Sequence, residues 1–95
     1  MKKLRKNQER ELYNKLTVFV QNKIAFYVKT KRWTATEIAY QIGSHSSRIS
    51  EIVNGARVVS KPIFKSLLTE DFFDKVDIKD EVELNEKESA YIDAL

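Results

Sequence analysis

Ninety-five residues with 17 Lys and Arg, 14 Asp and Glu and no cysteine describe one domain with a modest core and no disulfide or thiolate metal centre to brace it. The net charge of +3 conceals an asymmetry, because residues 1–69 hold 14 basic against 4 acidic side chains whereas residues 70–95 hold 3 against 10. A basic body over residues 1–75 carrying an acidic extension over 76–95 points to an anionic partner for the body and excludes none for the tail.

The basic start "MKKLRKNQER" is not followed by an apolar run, and "LTVFVQNKIAFYV" is interrupted by Gln21, Asn22 and Lys23. That pattern predicts neither a signal peptide nor a membrane span, and places the chain in the cytoplasm. Leu12, Leu16, Phe19, Val20, Ile24, Tyr27 and Val28 recur at steps of three and four, which predicts one long amphipathic helix over residues 8–31.

"TATEIAYQIG" comes next. Thr34 with Glu37 three residues on is a capping box, Ile38, Ala39 and Ile42 make an apolar strip, and Gly43 stops the helix. Ile49, Ile52 and Val53 mark a third short helix, ended by Asn54-Gly55. Pro62 suits the first turn of a fourth helix that carries Ile63, Phe64, Leu67, Leu68 and Phe72 inward. In the tail, "KVDIKDEVEL" alternates apolar and polar residues, as a small hairpin or edge strand does. "NEKESAYIDAL" reads as a last helix capped by Asn85 and Glu88. The expected architecture is all-α: a compact bundle of about five helices with an extended first helix, a central helix-turn-helix at residues 35–54, and a short strand or helix in the tail.

The spacing within that centre is specific. Ala39 is small where two helices cross, Gly43 lies four residues on for the turn, and Ile49 and Ile52 follow at six and three to lock the angle. With "NG" after the second helix, "TEIAYQIGSHSSRISEIVNG" resembles the lambda-repressor/Cro-type (XRE-like) helix-turn-helix family over roughly residues 24–68. In this chain Ala35 stands where the family commonly has Gln, Ser44 where it has an apolar residue, and His45 where it has a Ser or Thr cap.

The resemblance implies a double-stranded DNA-binding transcription regulator, a repressor of phage, plasmid or bacterial origin that acts as a homodimer on an inverted repeat. It assigns base reading to Ser46, Ser47, Ser50 and Glu51 on the third helix. On a helical wheel Ser47 and Glu51 point directly away from Ile49. An ionised Glu51 accepts only, which favours a cytosine amino group, and Arg48 reaches a phosphate, a guanine or Glu51 three residues on. Phosphate contacts are expected from Lys29, Lys31, Arg32, Thr34, Thr36, Tyr40, Asn54, Arg57 and Lys61.

No catalysis, metal or cofactor is expected. His45 beside Ser46 lacks an orienting acid or oxyanion site, and Asp71, Asp74, Asp77 and Asp80 lack a glycine-centred calcium loop. A dimer contact is expected from the stripe between Leu4 and Leu16 or, in preference, from the tail residues Val76, Ile78, Val82, Leu84, Tyr91, Ile92 and Leu95. The tail also supports a second reading, an antitoxin-like or anti-repressor-like interaction module whose acidic extension grips a protein partner.

Overall fold

The computed structural model describes residues 4–95, which form six helices among the described residues and no strand. They are α1 (Lys6–Lys29), α2 (Ala35–Gln41), α3 (Ser46–Val53), α4 (Lys61–Thr69), α5 (Lys75–Glu81) and α6 (Glu86–Asp93). The all-α expectation holds. The long first helix begins and ends two residues earlier than its apolar spacing suggested.

Helix α1 is the spine. At 24 residues it is about 36 Å long, close to the 38 Å long axis of the molecule. Leu12, Leu16 and Val20 are fully buried along one stripe, and Phe19 and Ile24 nearly so. Against them pack Ile38 from α2, Ile49 and Ile52 from α3, Phe64 and Leu67 from α4, Ile78 from α5 and Ile92 from α6. One core therefore serves every helix. Truncating any of these aliphatic residues to Ala would cost about 2–5 kcal/mol. Aromatic edges fill the space between α1 and the α4–α5 turn: Phe19 meets Phe73 at 4.9 Å and Trp33 meets Phe72 at 5.0 Å between ring centroids. Phe72 is buried as expected, but from the turn beyond α4 rather than from the helix itself.

The helices are short, so their ends matter. Thr34, Asp74 and Asn85 form reciprocal capping boxes with Glu37, Asp77 and Glu88, and Ser60 caps α4 with Pro62 in its first turn. Four ends close by one device. After α2, Gly43 N–H donates to Tyr40 and Ser44 N–H reaches back to Ala39 at 2.8 Å, with Gly43 in the left-handed region at φ 67°. The same paired bonds close α1 at Lys31 (φ 59°), α3 at Gly55 (φ 77°) and α4 at Asp71 (φ 60°).

The tail departs from expectation. "KVDIKDEVEL" is not a hairpin or edge strand; residues 75–81 are helix α5. Asp74 Oδ1 accepts the Asp77 N–H at 2.8 Å, and Asp77 returns the bond to the Asp74 N–H at 3.1 Å. That box nucleates a helix which then buries Ile78 and leaves Val76 exposed.

The acidic extension is also no free arm. Tyr91 Oη lies 2.9 Å from Tyr13 Oη, Lys15 pairs with the buried Glu88 at 3.0 Å, and Lys23 pairs with Glu81 at 2.8 Å. Part of the basic–acidic asymmetry is thus satisfied inside the molecule. The tail's apolar residues are likewise spent. Ile78 and Ile92 are fully buried, Val82, Leu84, Tyr91 and Leu95 pack against the core, and only Val76 remains exposed. Leu12 and Leu16, at the end of the other stripe expected to face a second copy, are fully buried too. No helix of the described residues is long and apolar enough to cross a membrane.

Candidate nucleic-acid interface

Helices α2 and α3 pack on each other through Ile38, Ala39, Ile49 and Ile52, all buried, across the Ile42–His45 turn. Gly43 has open space around it, so its role is the left-handed backbone rather than close approach. Ser44, in the position where an apolar residue was the family expectation, is half-buried and donates its N–H back to α2. His45 takes the cap position of α3 with extended backbone, but its side chain makes no capping bond.

Only Ile49 and Ile52 of α3 are buried, with Val53 half-buried. Its remaining surface presents Ser46, Ser47, Arg48 and Ser50, all exposed, and a half-exposed Glu51. The five residues expected to read bases are thus all at the surface but wrap around the helix, with Ser50 toward the cleft against α1 and Arg48 on the opposite flank toward α4. Ser50 and Asn54 also line an open cleft between α1, α2 and α3 together with Val28, Lys29 and Ala35. That cleft brings the α1 cation Lys29 to the flank of α3.

The expected phosphate contacts divide into groups. Lys29, Lys31 and Arg32 cluster where α1 turns into α2; all are exposed, and none forms an ion pair among the described residues. Thr36 is exposed on the first turn of α2, and Tyr40 is the most exposed large hydrophobic, at 84%. Thr34 already uses its hydroxyl to accept the Glu37 N–H at 3.1 Å. Lys61 sits apart from the α3 face in a different sense: its ammonium lies 5.7 Å from the Tyr91 ring centroid, stacked on the tail. Arg57 is paired, its Nε donating to Glu51 Oε2 at 2.6 Å. The Glu51 carboxylate finds this partner, not Arg48.

Two side chains that the sequence does not mark for it brace this region: Gln21 reads only as an interruption of an apolar run, and Thr17 carries no signal. Gln21 Nε2 donates to the Ile52 carbonyl at 2.7 Å, tying α1 to the last turn of α3. The buried Thr17 hydroxyl donates to the Tyr13 carbonyl at 2.6 Å and accepts the Val59 N–H at 2.9 Å, which fixes the loop after α3. Thr17 thereby satisfies a loop N–H that has no helical partner, and Gln21 adds a second donor to an Ile52 carbonyl that also accepts the Gly55 N–H.

Comparison with family models, curated proteins and solved structures found no match for this chain.

Proposed function

We propose that this protein is a sequence-specific double-stranded DNA-binding regulator, a repressor acting as a homodimer on an inverted repeat, with α3 lying in the major groove. One observation carries the reading. Helix α3 spends only Ile49 and Ile52 fully on the core and turns an otherwise polar side outward, next to three exposed cations at the α1–α2 junction. A surface helix with donors and acceptors on its outer side can meet base edges, and flanking cations supply the sequence-independent attraction to phosphates. In this reading Ser46, Ser47, Ser50 and Arg48 face the bases, while Lys29, Lys31, Arg32, Thr36 and Tyr40 track the backbone. A second copy would find apolar surface on α1, where Val18 and Phe26 stay 56% and 54% exposed, more readily than on the tail.

The test is fluorescence anisotropy with a duplex selected from a randomised pool, against shuffled controls, at two salt concentrations. The reading expects one duplex bound at least about a thousandfold more tightly than the controls, with affinity falling steeply in salt. Equal, salt-erased binding to every duplex would overturn it.

A further inference from the structure

We propose that Arg57 reads a guanine and that Glu51 positions it, instead of Glu51 itself reading a base; this rests on the DNA-binding reading above. The turn after α3 sets the geometry. With Gly55 left-handed at φ 77°, its N–H returns to the Ile52 carbonyl and the Ala56 N–H to the Glu51 carbonyl at 2.8 Å. The chain thereby doubles back over the last turn of α3 and delivers Arg57 to Glu51, six positions earlier.

The contact is made by one nitrogen. Arg57 Nε donates to Glu51 Oε2 at 2.6 Å. A guanidinium is planar with five donors in a fixed fork, so a carboxylate engaged at Nε orients the group while leaving the two terminal nitrogens to donate elsewhere. Two parallel donors match the N7 and O6 acceptors of guanine in the major groove.

Charge and exposure favour this role over two simpler ones. The side chains of Arg57 and Glu51 are 47% and 43% exposed, so the pair braces no core, and an exposed ion pair adds little to stability. A carboxylate alone on the outer side of α3 would be repelled by phosphates, and a phosphate-binding arginine gains nothing from having its charge cancelled. The pair brings no net charge to the duplex. It therefore contributes little to counterion release and can contribute direction.

The test uses the duplex selected above, with each guanine replaced in turn by 7-deazaguanine, which lacks the N7 acceptor. Wild-type protein is compared with Arg57→Ala, Glu51→Ala and Glu51→Gln by anisotropy at two salt concentrations, with circular dichroism confirming that each variant is folded. We expect one guanine per half-site whose replacement weakens wild-type binding about fivefold or more. Arg57→Ala, which leaves no donor for N7, should lose that sensitivity. Glu51→Ala should lose most of it while binding shuffled duplex more tightly, and Glu51→Gln, whose amide oxygen still accepts from Nε, should keep it. If Arg57→Ala retains the sensitivity, or weakens every duplex alike and lowers the salt slope by about one, Arg57 is not the guanine reader and the inference falls while the DNA-binding reading stands. If selection from the randomised pool by Glu51→Ala relaxes at a cytosine, and selection by Arg57→Ala does not, Glu51 reads the base directly and the inference again falls alone. If no duplex is preferred over the shuffled controls, both readings fall together.

Discussion

Arg57 and Glu51 lie six residues apart in the chain and 2.6 Å apart in space, joined over the turn that ends α3. In an unbroken helix Glu51 would face residues three and four positions away, which makes Arg48 its expected neighbour. The left-handed Gly55 ends that periodicity and substitutes a loop residue. The ion pair is a product of the turn.

Because both partners are nearly half exposed, the pair should contribute little to folding. Arg57→Ala should shift the free energy of unfolding by less than about 1 kcal/mol in urea denaturation without DNA. A loss several times larger would make the pair a structural brace.

Thr17 is the opposite case. Its buried hydroxyl is the partner of the Val59 N–H, and Val59 is itself 1% exposed. Thr17→Val keeps the side-chain shape but leaves that N–H without an acceptor, and should cost about 1–3 kcal/mol. Thr17→Ser, which keeps the hydroxyl, should recover most of the hydrogen-bond part of the loss. Thermal denaturation of the two variants beside the wild type separates these outcomes.

The acidic tail should behave as part of the same cooperative unit as α1. Ile92 is fully buried at the far end of the sequence, so Ile92→Ala should destabilise the whole domain by about 2–5 kcal/mol. Far-ultraviolet dichroism and tryptophan fluorescence should then report one shared transition. An unchanged midpoint by fluorescence, with α6 lost separately, would show that the tail folds independently of the body.

Alkaline pH should unfold the protein through Tyr13. Burial, and then the hydrogen bond with Tyr91, hold the Tyr13 phenol above its ordinary value of about 10. The unfolded chain releases this proton first. The stability that the phenol contributes is therefore complete below about pH 10 and is lost as pH rises further. Lys23, raised chiefly by its hydrogen bond to Glu81, acts in the same direction above the usual lysine range, weakly because it lies at the surface. Melting temperature should fall above about pH 10, more gently in Tyr13→Phe, with the rise of tyrosinate absorbance tracking unfolding. A fall of equal steepness in Tyr13→Phe would assign it to other groups.

Much of the fold was visible in the chain because local signals agreed. The Thr34–Glu37 and Asn85–Glu88 boxes and Gly43 lie where the elements begin and turn. The error at α5 has a physical cause. Residues 75–81 carry only two apolar side chains, Val76 and Ile78, too few for a period to be read, so periodicity cannot arbitrate. Asp74 and Asp77, three apart, were the deciding signal, as a capping box rather than as ligands. For the candidate interface, the outward side of α3 followed from Ile49 and Ile52 alone. What could not be read was anything spanning elements: Gln21 on the Ile52 carbonyl, Lys61 on Tyr91, and the use of tail residues in the core.

The four left-handed corners also set an order in time. Each is closed by bonds that reach back no more than five residues, as from Ser44 to Ala39, so the reversal between α2 and α3 needs little of the chain to be in place. The clasp between Tyr13 and Tyr91 closes a loop of 78 residues and has to wait for a search over nearly the whole molecule. In pulse-labelling during refolding the amides of Ile49 and Ile52 should accordingly gain protection before those of α6. The surface proposed to touch DNA would then be the earliest to take shape.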